Sequence, residues 1–390
     1  MIEPIQTANK FPVILMMTVK NEAHIIHRCL HSTLPYIDGV AISVDSKTTD
    51  NTVEVINECV NRYNKPCKVI VQECPPLPFD RVDMAFARNS AMDLAELLIE
   101  EHFKADKAYL LLMDADEKLV FNSDIPFAEL DGTSNYSFIK KYSDDYKVWS
   151  GEQLILAFNG YHFVDEIHEY PEQKPGYFKP LTKRLNTFYL DFKTNLSARS
   201  RDPNKIHKDI ATLKYMLDKR PGYRRAQYYL ALAYKEAGLI KEEIETYHLL
   251  INNPSAWSEE KWYSYIQLAT VDNKDKIYYL LKAYELNKSR AEPLYWLLTY
   301  LLKEGLNEFA YDVAVKALKI PKPEVGSYLL DESIYDWKLK DQAILAAYYS
   351  GNYQLSYNVC FQLLESSLLP ESEVERIKSN LNFAKTKLGL

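Results

Sequence analysis

Apolar residues in the first third of the chain fall in short unbroken runs. Phe11 to Val19, Val40 to Val44, Lys68 to Gln72 and Tyr109 to Met113 are predicted as strands. A run without polar alternation reads as a strand buried on both faces, as in parallel sheets covered by helices. Between the runs, apolar positions recur at helical spacing, at Ile25, Ile26, Cys29 and Leu30, then from Val53 to Tyr63. The stretch Phe79 to Glu101 is predicted as a loop and a long helix containing Ala87-Arg88-Asn89. The hydroxyl and Asx residues of Ser46 to Thr52 suit a loop that caps a helix. Strands alternating with helices through short links predict a doubly wound α/β sheet. After Glu117 the pattern changes. Strands are predicted at Tyr136 to Lys140, Gln153 to Phe158, Lys179 to Leu185 and Phe188 to Phe192, with Gly160 to Tyr170 as a loop over the sheet's carboxyl edge.

From about Ile206 the pattern is helical to the end. Pro221 to Pro254 reads as one helical hairpin, with Ala226, Tyr229, Leu230 and Ala233 in its first helix, a turn at Gly238, and Ile244, Tyr247 and Leu250 in its second. Trp262 to Leu286, Pro293 to Ile320 (turn at Gly305) and Asp341 to Leu364 (turn at Gly351) repeat the scheme. This period and the small residues inside each pair match degenerate tetratricopeptide-type hairpins. The expected organisation is an α/β domain over residues 1–200 and an all-α repeat domain over 201–390.

Composition adds limits. Net charge is −7, which argues against a broad nucleic-acid surface. Five cysteines without a Cys-x-x-Cys pair suit reduced thiols, and with no secretory leader pattern the expectation is a cytoplasmic protein without a membrane span. Thirty tyrosines, most of them after residue 136, fit aromatic-rich helical stacks. Phosphate loops, dinucleotide fingerprints and hydrolase elbows are absent.

The candidate chemistry centres on Asp114-Ala115-Asp116-Glu117, directly after the Tyr109 to Met113 run. Carboxylates at the carboxyl end of a parallel strand face the crevice where open α/β sheets bind ligands. In extended chain Asp114 and Asp116 would point the same way, toward one hard divalent cation held directly or through a diphosphate. The competing reading is an acidic turn that ends the strand.

Several stretches together resemble the family-two inverting glycosyltransferases. Thr18-Val19-Lys20-Asn21-Glu22 is similar to their first-strand motif, and Asp45 with Thr48-Thr49-Asp50-Asn51-Thr52 to their nucleotide-binding segment, although Ser46-Lys47 departs from it. Phe86-Ala87-Arg88-Asn89 resembles their Ala-Arg-Asn helix start, Asp114-Ala115-Asp116 their metal motif, and Ile167-His168-Glu169 the His-Glu motif of one subgroup. That subgroup, which includes bacteriocin S-glycosyltransferases, also carries C-terminal tetratricopeptide helices. The resemblance implies a GT-A-like fold and transfer of a sugar from a UDP- or other NDP-sugar with Mn²⁺ or Mg²⁺. It implies donor contacts at Thr18, Asn21, Asp45, Arg88 and Asp114, with Arg88 reaching the diphosphate or bracing the acidic loop. Asp116 is the best direct metal ligand, with Asp114 and His168 beside it and His162 able to replace His168. Glu169 is the first choice for the base, with Asp165 and Glu166 in reserve. Asn21 and Glu22 would otherwise shape the first loop, and Lys205, His207 and Lys208 would approach the phosphates or simply start a solvated helix.

The implied acceptor is a peptide or protein, then a glycan, with a modified DNA base less favoured by the charge. The helical domain would select the acceptor or join two subunits as a homodimer. The rivals are a scaffold protein with an inactive transferase half and a nucleotidyltransferase. The latter lacks its Gly-rich basic loop here.

Overall fold

The computed structural model describes residues 9–78, 81–141, 147–149, 151–192, 196–272, 274–323 and 329–390. The loop expected from Phe79 begins on two residues outside that set. The chain divides into two compact units, Met1–Pro221 and Gly222–Leu390.

Four strands begin the first unit: β1 (Val13–Val19), β2 (Gly39–Asp45), β3 (Cys67–Gln72) and β4 (Tyr109–Leu112). They lie parallel in the order β3-β2-β1-β4. The unbroken runs follow from a sheet with a core on each face. Val13, Leu15, Met17, Val40, Ile42, Tyr109 and Leu111 enter one core with helices α1 (Ile26–Thr33) and α2 (Thr52–Tyr63). Their neighbours Ile14, Met16, Ala41, Leu110 and Leu112 enter the other with α3 (Met84–Leu98). Strand order reverses between β1 and β4, so a crevice opens past their carboxyl ends.

Beyond β4 the sheet is mixed. It continues through β8 (Leu154–Leu156), β6 (Asn135–Lys141) and β11 (Thr182–Phe192) to β5 (Glu117–Phe121), and β7 (Lys147–Trp149) pairs with β6. The two strands expected from Lys179 to Phe192 are one strand, β11. Its register against β6 shifts between Leu185 and Tyr189, and this irregularity is what the break in the pattern recorded. Phe188 packs there on Phe121, Phe127 and Phe138, with ring centroids 5.9, 5.5 and 4.7 Å away. The predicted loop from Gly160 to Tyr170 is a hairpin in its outer parts. β9 (Tyr161–Val164) and β10 (Tyr170–Gln173) pair antiparallel, and only Asp165 to Glu169 turn between them.

The first unit ends later than residue 200. Helix α4 (Lys205–Lys219) belongs to it. Asp209 on α4 pairs with Arg199, and Arg220 just after it holds Asp165 at 2.9 Å and Glu166 at 2.9 Å.

The second unit is helical: α5 (Arg224–Glu236), α6 (Ile240–Asn252), α7 (Ser258–Val271), α8 (Lys276–Leu286), α9 (Glu292–Lys303), α10 (Asn307–Ala317), α11 (Leu339–Tyr349), α12 (Tyr353–Leu364) and α13 (Glu371–Leu388). α5, α7 and α9 start at Arg224, Ser258 and Glu292, 34 residues apart each time, the period of tetratricopeptide-type hairpins. Within a hairpin the chain must reverse in two or three residues, and Gly238 and Gly305 do so at φ +69° and +73°. Ala231, Ala283, Ala310, Ala314 and Ala343 are fully buried where the helices approach. α13 falls in the stretch read as helical but was not assigned to a hairpin; only Ile377 and Ala384 of it are buried, so its apolar stripe is thin. No described helix is long and apolar enough to cross a membrane.

Candidate active site

The loops after β1 and β2 are laced together at the crevice. Asn21, at φ +56°, accepts from the Thr49 N–H at 2.7 Å. The Glu22 N–H donates to the Thr52 hydroxyl, and the Ala23 N–H to Asp50. Asp45 lies buried at the end of β2 in an ion pair with Lys20 at 2.9 Å, and it closes a turn by accepting from the Lys47 N–H at 2.8 Å. The hydroxyl oxygens of Thr18 and Thr48 are buried there without a hydrogen-bond partner.

After β4 the chain turns at once. The Glu117 N–H donates to the Asp114 carbonyl, and the Glu117 carboxylate accepts from the Asp114 N–H at 2.9 Å and from Lys140 at 2.7 Å. The chain turns at Ala115 and Asp116 rather than running on as extended strand, and both Asp114 and Asp116 stay close enough to Glu22 for their charges to act on it. Arg88 takes the Asp114 carboxylate. Desolvation opposes ionisation of Asp114, but Arg88, Lys140 and Arg199 hold its carboxyl below the usual range. Asp116 is buried. Desolvation, then the charge of Asp114, pushes it up to about 6 against a hydrogen bond from the Ser197 hydroxyl.

Glu22 behaves the same way. Burial pushes it up to about 7, with Asp116, Asp114 and Asp50 adding to the effect and the Ala198 N–H opposing it. Sequence reasoning gave Glu22 a loop-shaping role and missed this. The only signal was its position just past β1, facing the acidic turn after β4.

The Ala87-Arg88-Asn89 segment is a brace. Helix α3 is capped by Asp83, which accepts from the Phe86 N–H. Arg88, buried in its first turns, joins Asp114 to Glu169, whose Oε1 lies 3.1 Å from Nε. Asn89 donates to the Phe163 carbonyl at 2.9 Å and accepts from its N–H at 2.7 Å, which pins β9. Of the three candidate acids in the hairpin turn, Asp165 and Glu166 are held by Arg220, and Glu169 reaches the crevice through Arg88.

His168 sits in the turn at φ +56°. The expected ligand set of Asp114, Asp116 and His168 is not closed: among the described residues no group of three or more His, Cys, Asp or Glu side chains is gathered to hold a metal ion. The physical reason on the Asp114 side is Arg88, which already neutralises it. His162, the substitute, lies on β9 with its Nε2 3.7 Å from Glu172. Lys208 pairs with Asp202, and Lys205 lies 3.7 Å from Asp209.

The carboxylates left at the crevice, Glu22 and Asp116, are raised first by burial and then by the acids beside them. Carboxylate oxygens are the donor type that hard divalent cations take, and Asp116 is the one that could serve as such a ligand.

No family model matches the chain, and no curated protein matches it. Two of the solved structures that match it overlap about half of the chain. One, titled "Crystal structure of MamA", is 16% identical with a TM-score of 0.32 and covers 50% of this chain and 95% of its own. The other, "Crystal structure of MamA protein", is 16% identical with a TM-score of 0.32 and covers 49% and 87%.

Proposed function

We propose that the protein is an inverting glycosyltransferase that moves a sugar from a nucleoside-diphosphate donor to a nucleophilic acceptor. The observation that carries the reading is the meeting of separate sequence motifs at one sheet edge: Asn21 on Thr49, Lys20 on Asp45, and Arg88 on both Asp114 and Glu169. Thr18 and Thr48, with unused buried hydroxyls, and Asp45 suit the nucleoside end of the donor. A divalent cation, Mn²⁺ or Mg²⁺, would be held by Asp116 with oxygens of the diphosphate and water, and would offset charge on the leaving diphosphate.

In the transfer, an acceptor lone pair forms the new bond to the sugar carbon while the bond from that carbon to the diphosphate oxygen breaks. The electron pair leaves with the diphosphate, and the acceptor proton passes to a carboxylate. Glu169 is the proposed base because, of the three acids in the hairpin turn, it is the one that Arg88 holds beside Asp114 at the crevice, whereas Asp165 and Glu166 are turned to Arg220. The helical unit selects the acceptor, a peptide or protein first and a glycan second, or joins two copies. This part of the reading rests on analogy.

The test is a thermal-shift panel of nucleotide sugars, each with and without Mn²⁺. A ligand that binds only the folded state raises the melting temperature, by an amount equivalent to about 2.7 kcal/mol at a hundred times its Kd. One nucleotide sugar should stand out, and only with the metal. A flat panel, followed by no donor hydrolysis, would remove the reading in favour of a scaffold.

A further inference from the structure

The chain between β10 and β11 is a short loop, Lys174-Pro175-Gly176-Tyr177-Phe178-Lys179-Pro180-Leu181, that the transfer does not use. It carries three large apolar side chains within five residues. Tyr177 is 51% exposed, Phe178 61% and Leu181 75%, the last the highest exposure of any large apolar side chain among the described residues. Single exposed apolar residues are ordinary, and Val71, Phe86, Leu97 and Ile125 of the same unit stand singly along the chain. Three in one loop make a surface that water does not favour, and such surfaces mark sites of attachment.

The exposure is not slack in the chain. Two side-chain amides fix the Phe178 carbonyl, Asn159 donating to it at 2.9 Å and Gln173 at 2.7 Å. The Lys174 N–H donates to the Gly160 carbonyl at 2.9 Å, and the Leu181 carbonyl accepts from the Asn135 N–H at 2.9 Å, so both ends of the loop are tied to the sheet unit. Gly160, at φ +68°, lies against the Tyr177 ring, and a side chain there would collide with it. Pro175 and Pro180 each lock one more backbone dihedral. The loop therefore presents its apolar side chains with little further ordering to be done on binding.

Shape and charge indicate the occupant. Side chains this exposed stand proud of their surroundings rather than lining a recess. From Lys174 to Arg184 there are four cations and no carboxylate, in a chain of net charge −7. Lys183 is answered by Asp131 at 2.8 Å, Lys174 acts on Asp93, and Arg184 is engaged too. Lys179, exposed between Phe178 and Pro180, is the cation that stands with the apolar side chains. Projecting rings and a leucine with an ammonium among them suit a membrane interface, where the apolar bodies enter the acyl boundary and the charge stays at the headgroups.

We infer that residues 174–181 dock the protein on an anionic lipid surface, with Tyr177, Phe178 and Leu181 at the acyl boundary and Lys179 on the lipid phosphates. The attachment is peripheral and reversible, since three side chains bury far less than a spanning helix. It does not depend on the transferase reading.

The experiment is co-sedimentation of the full chain with phosphatidylcholine vesicles, with and without phosphatidylglycerol, at fixed salt. The protein should pellet with the anionic vesicles and stay largely in solution with the neutral ones. Phe178→Ser and Leu181→Ser should each weaken partitioning about tenfold, the scale of burying one large apolar side chain. Lys179→Glu should weaken it by about the same factor. Val71→Ser, at a 55% exposed position on the edge strand β3, is the control and should leave partitioning unchanged. Melting curves show whether each variant is folded, and Phe178→Trp, which keeps an aromatic ring, tests the site if a serine variant is not. Its added tryptophan should be quenched by lipids brominated near the headgroup end of the acyl chain, beyond any quenching of the five native tryptophans in the wild type. Wild-type protein that does not pellet with anionic vesicles would overturn the inference and leave the loop to a protein partner. Pelleting that Phe178→Ser and Leu181→Ser do not weaken, or that Val71→Ser weakens as much, would overturn it too, as would an unquenched Phe178→Trp. Nucleotide-sugar turnover in solution should be the same in all these variants, so a failure of the docking and a failure of the transferase reading are told apart.

Discussion

The two units bury charge in opposite ways. In the helical unit the buried ions are answered. Arg290 donates to both oxygens of Glu292, at 3.0 and 3.1 Å from Nε, and stacks over Trp262 at 4.3 Å. Tyr335 completes the group, donating to Glu292 at 2.5 Å and accepting from the Ala291 N–H at 2.8 Å. Glu260 pairs with Arg224 at 2.5 Å and accepts from the Trp257 N–H at the start of α7. Glu243, raised by burial against the pull of Lys235, is the exception. In the sheet unit Asp45, Glu117, Asp114 and Glu169 are answered by Lys20, Lys140 and Arg88, but groups beside them crowd by sign. Glu22 and Asp116 are raised together on one side, and Arg81 and Arg199 press on each other on the other. Charge that is buried and answered holds a fold together. Charge that is buried and unanswered costs stability, and a cleft that keeps it is a candidate functional site.

The sharpest break of this contrast is Asp116→Asn. It should lower donor turnover by about 100-fold or more, while the melting temperature at pH 8 stays level or rises because a repelled carboxylate has been removed. Steady-state rates and a melting curve on the same preparation decide it; a clear fall in stability would make Asp116 structural. Arg290→Met should do the opposite. Leaving Glu292 buried without its cation should cost about 3–5 kcal/mol in urea unfolding of the helical unit, with nucleotide-sugar binding unchanged. The smallest expected effect is a pH signature at Glu22. Burial and the neighbouring acids raise it to about 7, above the usual glutamate value of 4.5, so the folded state holds the proton more tightly. The stability this gives is fully present below about pH 4.5 and is lost as pH rises through 7. Glu22→Gln should therefore match the wild type near pH 4.5 and exceed it by about 1–2 kcal/mol at pH 8. A constant difference across that range would show that the acid cluster does not repel.

What was legible in the chain follows from the same physics. β1 to β4 were readable because burial on both faces leaves no polar alternation to confuse the period. The hairpin turns at Gly238 and Gly305 were readable because little else accepts a positive φ. β9 and β10 were not, since Tyr161 to Gln173 is half-exposed and its titratable residues read as a loop. The Arg88 brace was one of two readings left open, because a guanidinium that serves a phosphate and one that serves two carboxylates look alike in sequence. Arg220 on Asp165, and Arg81 on Asp209, lie far apart along the chain and carry no local signal at all. Nor does a pKa near 7 at Glu22, which is a property of its neighbours rather than of its own position.

Arg88 has one further consequence. A single guanidinium is shared by Asp114 at the end of β4 and Glu169 at the start of β10. The two carboxylates cannot then be filled or emptied independently. Whatever neutralises Asp114 leaves the whole cation to Glu169, and whatever draws Glu169 away returns it to Asp114. The protonation or pairing of one carboxylate is thereby linked to that of its neighbour, and such a linkage is reciprocal. Such a shared counter-ion couples two adjacent carboxylates without any movement of the backbone.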